Sequence, residues 1–201
     1  MLRLGITGGI ASGKSVIADV LRKLGFPVID ADGLGHELMR PGTPAFDEVV
    51  REFGRAVVGD FGCIDRGKLG AAVFADGAKL AKLNAILHPR IAEEMARQFA
   101  AWERAGVSAA FVEAALLVEA GYQEYLDGLV VAWCRPEQQM QRLRARGMNE
   151  EEARRRIASQ MPAEEKLRYA TERIDCSGTI RETQRQVETL AARLRSGAER
   201  K

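Results

Sequence analysis

GITGGIASGKS, Gly5 to Ser15, is the stretch on which the fold of this 201-residue chain turns. Before it closes, Leu2 to Thr7 forms an apolar run that reads as a short buried strand, bounded by Gly8 and Gly9. From Lys14 onward, apolar residues fall at Val16, Ile17, Val20, Leu21 and Leu24, the stripe of an amphipathic helix. The stretch is therefore a strand-to-helix turn rich in glycine. Gly8 and Gly13 lack a Cβ and permit a tight curl that turns several backbone N–H groups inward. The helix beginning near Lys14 adds the positive end of its dipole. A lysine at 14 reaches terminal phosphates, and a hydroxyl at Ser15 suits Mg²⁺. A bland alternative is a glycine-rich turn with an incidental lysine. The strand before and the helix after supply the context that phosphate binding requires. The candidate contacts are Gly8, Gly9, Ile10, Ala11, Ser12, Gly13, Lys14, Ser15 and Val16.

Outward from this turn, Gly25 and Pro27 stop the first helix, and Val28-Ile29 is a second short strand ending in Asp30-Ala31-Asp32. A long helical region follows. Its clearest part places Leu80, Leu83, Leu87, Ile91, Met95, Phe99 and Trp102 at steps of three and four, with a kink predicted at Pro89 and closure at Gly106. Val107 to Val112 and Leu129 to Trp133 read as core strands with helical material between them. Pro136 suits a helix's first turn. Asn149 with Glu152, and Thr179 with Glu182, have the spacing of capping boxes. The stretch around Ile174 is a candidate last strand. Strands alternating with helices imply an α/β protein with a parallel sheet covered on both faces. Two helical stretches, about 33–104 and 136–170, exceed a plain crossover and are candidate insertions at the sheet's carboxyl edge.

Composition sets the class. Hydrophobic residues are 46% and charged residues 29% of the chain, ordinary for a folded globular protein. A net charge of +2 argues against a dedicated nucleic-acid binder. Cys63, Cys134 and Cys176 are odd in number and lack metal-like spacing, which fits a reducing compartment. With no apolar run near the ~20 residues of a membrane helix, and glycine at position 5 leaving no signal region, the expectation is a cytoplasmic protein without membrane association. A monomer is expected, a small homo-oligomer being the alternative.

A phosphate loop serves a switch, a motor or a phosphotransferase. The base-reading Asn-Lys-x-Asp of a guanine-nucleotide switch and its Thr-Lys variant are both missing, and 201 residues leave little room for a motor's repeats or second domain. A small kinase remains, which needs a base, an acceptor pocket and cations that close over the phosphoryl group. Asp32, just past the second strand, suits the base; equally, Asp30 or Asp32 suits the cap of the next helix. Arg142 and Arg146 are four apart and share a helix face, where they could straddle phosphates, although an arginine run mixed with Glu150, Glu151 and Glu152 is more often a solvated surface. His88-Pro89 reads by itself as a packed turn. Glu119 suits either the acceptor or the metal shell, against the plain alternative of an acidic element end.

Taken together these stretches resemble the dephospho-CoA kinase family nearly end to end. The phosphate loop is joined by VIDADGLGHELMRPGTPAF (Val28 to Phe46), LNAILHPRI (Leu83 to Ile91), LLVE (Leu116 to Glu119), the Arg142/Arg146 pair with Gln160, and IDCSG (Ile174 to Gly178), in the family's order. The resemblance implies a single domain with the three-layer fold of P-loop NTPases, like the nucleoside monophosphate kinases, around a five-stranded parallel sheet. Its core would be about 1–32, 105–135 and 171–201, its acceptor-binding insertion about 33–104 and its lid about 136–170. It implies transfer of the ATP γ-phosphoryl to the ribose 3′-hydroxyl of dephospho-CoA, with Mg²⁺. Asp32 becomes the favoured base, Lys14 and Arg142 the other catalytic groups, Arg142, Arg146 and Cys176 nucleotide contacts, and His88, Pro89 and Glu119 acceptor contacts. The rivals are a related kinase of another nucleotide-like acceptor and a nucleotide-dependent regulatory ATPase. Four positions depart from the family's pattern. Ala11 replaces a usual glycine, which alanine accommodates if φ is negative there. Val16 stands where threonine is frequent, and Ala115 where proline normally precedes Leu-Leu. Cys176 replaces the asparagine of Ile-Asp-Asn-Ser-Gly at the expected adenine site, losing its amide.

Overall fold

The computed structural model describes residues 1–74 and 76–198. Five strands form one parallel sheet: β1 (Leu2–Thr7), β2 (Val28–Asp30), β3 (Ala109–Glu113), β4 (Gly128–Trp133) and β5 (Glu172–Asp175), in the order β2-β3-β1-β4-β5. The five-stranded parallel sheet is as expected. β1 is central, with Leu2 to Ile6 in register with Ala109 to Glu113 on one side, and Leu4 to Thr7 with Gly128 to Val131 on the other. Central strands of a parallel sheet are covered on both faces, which is why β1, β3 and β4 are near-continuous apolar runs. Phe111, Val112, Ile6 and Val130 are fully buried, each worth about 2 kcal/mol of apolar transfer.

Helix α1 (Lys14–Lys23) and helix α9 (Ile180–Ala198) pack against each other. Ile17, Ala18, Val20 and Leu21 join Val187, Leu190 and Ala191 in one cluster that reaches Phe26 and Phe111, whose rings meet edge to face at 5.7 Å. The expected stop of α1 is a Schellman motif, with Gly25 at φ 86°, Phe26 N–H donating to Leu21 C=O and Gly25 N–H to Arg22 C=O. Both capping boxes predicted from sequence form a cap. Asn149 accepts Glu152 N–H at 2.8 Å ahead of helix α7 (Glu150–Ala158). Thr179 and Glu182 exchange bonds ahead of α9.

The chain divides into two compact units, Met1–Asp30 with Phe99–Lys201, and Ala31–Gln98. The first holds the sheet, α1, α9, and the helices α6 (Pro136–Ala145), α7 and α8 (Ala163–Lys166). The second contains α2 (Ala31–Leu38), α3 (Pro44–Phe53), α4 (Arg66–Phe74) and most of α5 (Gly77–Arg104). Thr43 caps α3 by accepting Phe46 N–H, and Val49, Val73, Leu87 and Ile91 are buried. α5 is one helix through Pro89, so the proline does not divide it. Between β3 and β4 the expected helical material is instead a run of turns and one 3₁₀ turn, Tyr122–Tyr125. Gly121, at φ 74°, separates the two and prevents a continuous helix. Among the described residues, no helix is long and apolar enough to cross a membrane.

Candidate functional site

The glycine-rich turn runs from the end of β1 to the first residue of α1, and each glycine has a local reason. At Gly8, φ is 149°, and a Cβ would lie 2.3 Å from the carbonyl oxygen of Ala132 on β4. At Gly9 a Cβ would lie 2.4 Å from the Gln139 amide. Gly13, the residue before α1, has φ 114° and would meet Cys176 at 2.9 Å. Within the loop Ser12 N–H donates to Gly9 C=O at 3.1 Å. The Lys14 ammonium folds back onto the carbonyls of Gly8 and Gly9, both at 3.1 Å. This leaves the N–H groups of Ala11, Gly13 and Ser15 without an acceptor among the described residues. The Ser12 hydroxyl is buried without a partner as well. Unused donors beside an ammonium at a helix N-terminus make a site for an anion of several oxygens.

The condition under which alanine is easily accommodated at position 11, a negative φ, is not met. Ala11 lies at φ +58°, the one non-glycine residue with positive φ among those described. It is the third residue of the Gly9–Ser12 turn, and a turn with negative φ at its second residue and positive φ at its third is of type II. The left-handed conformation costs alanine about 1 kcal/mol, and the surroundings offset it. Ala11 is buried with Leu143 and Ala153, against which Ile10, Met140, Met148 and Ile157 also pack.

Arg142, on α6, reaches this loop from below. One guanidinium nitrogen donates to Ala11 C=O at 3.1 Å and Ser12 C=O at 3.4 Å, and the other to Cys176 C=O at 2.6 Å. Arg146 does not join it. α6 ends at Ala145, so Arg146 sits on the terminal turn, its N–H donating to Leu143 C=O and its side chain exposed with no hydrogen-bond or charge partner among the described residues. The Cys176 thiol is buried in the core under Gly13, and its carbonyl accepts from Arg142. Burial pushes that thiol up to about 11, and raises Cys134 too.

Ser15 presents an exposed hydroxyl on the first turn of α1, with Val16 half-buried behind it. Mg²⁺ keeps several waters and takes much of its coordination from phosphates, so a single hydroxyl fits as a protein ligand. Among the described residues there is no cluster of three His, Cys, Asp or Glu that could hold a metal.

The remaining candidates are spread over both units. Asp30 ends β2 in register with Glu113, and Asp32 is exposed on the first turn of α2, in the second unit. His88 is half-buried on α5 beside Pro89, and burial lowers its pKa below the ordinary 6.5. Glu119 is already engaged: its carboxylate accepts Met161 N–H at 3.0 Å and pairs with the Lys166 ammonium at 2.9 Å. Lys166 is fully buried and donates also to Ala115 C=O at 2.6 Å. The sequence gives no sign of this lysine, which lies in a polar run. Gln139 was equally hidden, whereas Gln160 stands in a recognisable motif.

The profile of the family described as dephospho-CoA kinase matches residues 2–182. The chain is 43% identical to the dephospho-CoA kinase of Corynebacterium efficiens over 195 residues, 96% of this chain and 98% of that one. It is 43% identical to that of Bacillus cereus over 188 residues, 93% and 94% of the two chains. Among solved structures, a Thermus thermophilus protein superposes with a TM-score of 0.83 at 34% identity, covering 96% of this chain and 97% of the other. The dephospho-CoA kinase of Campylobacter jejuni gives 0.73 at 25%, covering 97% and 98%.

Proposed function

Because the chain belongs to the dephospho-CoA kinase family, we propose that it transfers the γ-phosphoryl of ATP to the ribose 3′-hydroxyl of dephospho-CoA, giving CoA and ADP in the last step of coenzyme A biosynthesis. The observation that carries this reading is the phosphate loop, where the unused N–H groups of Ala11, Gly13 and Ser15 accompany the Lys14 ammonium. When bound, ATP supplies the phosphoryl group, and Mg²⁺, held on the protein side by Ser15, offsets the charge of its phosphates. Lys14 exchanges its two carbonyl partners for terminal phosphate oxygens. Gly8 to Val16 wrap the phosphates, with the N–H groups of Ala11, Gly13 and Ser15 as donors, and Arg142 and Arg146 bring positive charge from the α6–α8 segment, which acts as the lid. Asp32 accepts the proton of the acceptor hydroxyl, with Asp30 beside it in the chain. His88 and Pro89 line the acceptor's side. Glu119 contributes there through the segment it anchors, since Lys166 and Met161 occupy its carboxylate.

The test is ADP release with ATP and Mg²⁺, with and without dephospho-CoA, using AMP and adenosine as control acceptors. Stimulation by dephospho-CoA alone is expected; equal rates with every acceptor would refute the assignment. The base is tested by D32N, which should lower turnover by roughly 10²–10⁴ with ATP affinity retained. Asp32 lies inside the first turn of α2, after the cap position at Asp30, so unchanged turnover would leave it an acid that favours the helix dipole and not the base.

A further inference from the structure

Two glutamines hold opposite sides of one residue in the phosphate loop. Gln160, just past α7, accepts the N–H of Ile10 at 2.7 Å. Gln139, on α6, donates its amide to the C=O of Ile10 at 2.9 Å. Gln139 is 7% exposed, and Gly9 leaves the space its amide fills, since a Cβ there would lie 2.4 Å away.

The consequence follows from peptide geometry. A trans peptide points its C=O and its N–H in opposite directions. With Ile10 C=O drawn to Gln139, the Ala11 N–H faces away from Gln139, toward the side where it finds no protein acceptor. The Ile10–Ala11 peptide is also the central peptide of the Gly9–Ser12 turn. Rotating it by half a turn converts type II into type I, and type I has negative φ at the third residue. Glycine is at ease with positive φ there, whereas Ala11, at φ +58°, is biased toward the rotated form. That form would replace an inward N–H by an inward carbonyl oxygen, which repels phosphate.

We propose that Gln139, supported by Gln160, is a positioning residue that keeps the Ile10–Ala11 peptide turned with its N–H toward the nucleotide phosphates. The clamp takes over the bias toward type II that glycine would supply at position 11. It also ties the shape of the phosphate loop to α6 and α7. The proposal rests on reading the loop as the ATP site, and acceptor-dependent ADP release by the unaltered protein tests that reading separately.

The experiment is a calorimetric titration of ATP into the unaltered protein, Q139M, A11G and the double variant. Methionine fills the same space without the amide. Loss of the pinned orientation should weaken ATP about tenfold in Q139M, the equivalent of one hydrogen bond to a charged group. In the A11G background, where glycine itself favours type II, the same substitution should change the dissociation constant by less than about threefold. A merely structural role for Gln139 would give the same loss in both backgrounds, and that result overturns the proposal. So does a Q139M affinity within twofold of the unaltered protein. Should Q139M not fold by circular dichroism, Q160M with and without A11G carries the same comparison, with the same two outcomes deciding.

Discussion

Gly13 and Cys176 constrain each other. The glycine has room only for hydrogen, because Cys176 Cβ and Sγ lie 2.9 Å from where its side chain would begin, and the thiol in turn is sealed between the loop and the sheet. Cys134 shares the same cluster, and burial raises both thiols. A thiol at about 11 is roughly one part in a thousand thiolate at pH 8, and the thiolate is the nucleophile. Cys63 is exposed. Iodoacetamide at pH 8 should therefore add a single label to the native protein and three after unfolding in urea, read by intact mass. Two or three rapid additions to the native chain would contradict the burial described. The sequence shows three scattered cysteines but not which way a thiol points. Ala11 makes the same point: the bonds that accompany its positive φ, from Gln139 to the Ile10 carbonyl and from Arg142 to its own, come from 128 and 131 positions along the chain, and no local pattern encodes them.

Helix α8 has four residues, too few to be stable alone, and Lys166 fixes it. Its ammonium binds Glu119 and Ala115 C=O, while Glu119 also takes Met161 N–H. The turn after β3 is thereby joined to the segment that leads into β5. Leaving a buried ammonium without its carboxylate costs about 3 kcal/mol, so E119A should lose about that much in urea unfolding. Glu119 keeps some solvent contact, which makes E119Q milder because its carbonyl still accepts a hydrogen bond. E119A/K166M should recover part of the loss, since the stranded charge is gone. If E119A changes stability by less than about 0.5 kcal/mol, in the range of an exposed pair, the ammonium has found water and the anchor does not exist. Local patterns were legible at this scale: Asn149 and Thr179 announced their helices, and Gly25 and Gly106 ended theirs. The Ala163–Lys166 helix was not, because its lysine reads as solvated until the chain returns beneath Ala115.

The order β2-β3-β1-β4-β5 places the phosphate loop at a reversal. The chain leaves β1 toward β2 and β3 on one side, then crosses to β4 and β5 on the other. Crossovers diverge at the carboxyl end of β1, and α/β sheets bind ligands at such a switch point. The strands and their parallel sense were readable from apolar runs separated by helices, but their order was not, because it is set by pairings such as Leu2 with Ala109, distant in sequence. A loop at this position belongs to the folded sheet alone, since its donors are brought together by contacts from α6, α7 and the chain after β5. ATP bound there stabilises the native state by mass action, about 2.7 kcal/mol at a hundredfold excess over Kd. For a chain of this length that corresponds to a Tm rise of roughly 5–10 °C. AMP, lacking the β and γ phosphates, should give much less at the same concentration, and K14A should lose most of the ATP effect while keeping its own unliganded Tm near that of the unaltered protein. Differential scanning calorimetry in Mg²⁺ reads all of these Tm values. An equal shift with AMP and ATP would mean that the base, and not the phosphate loop, carries the binding.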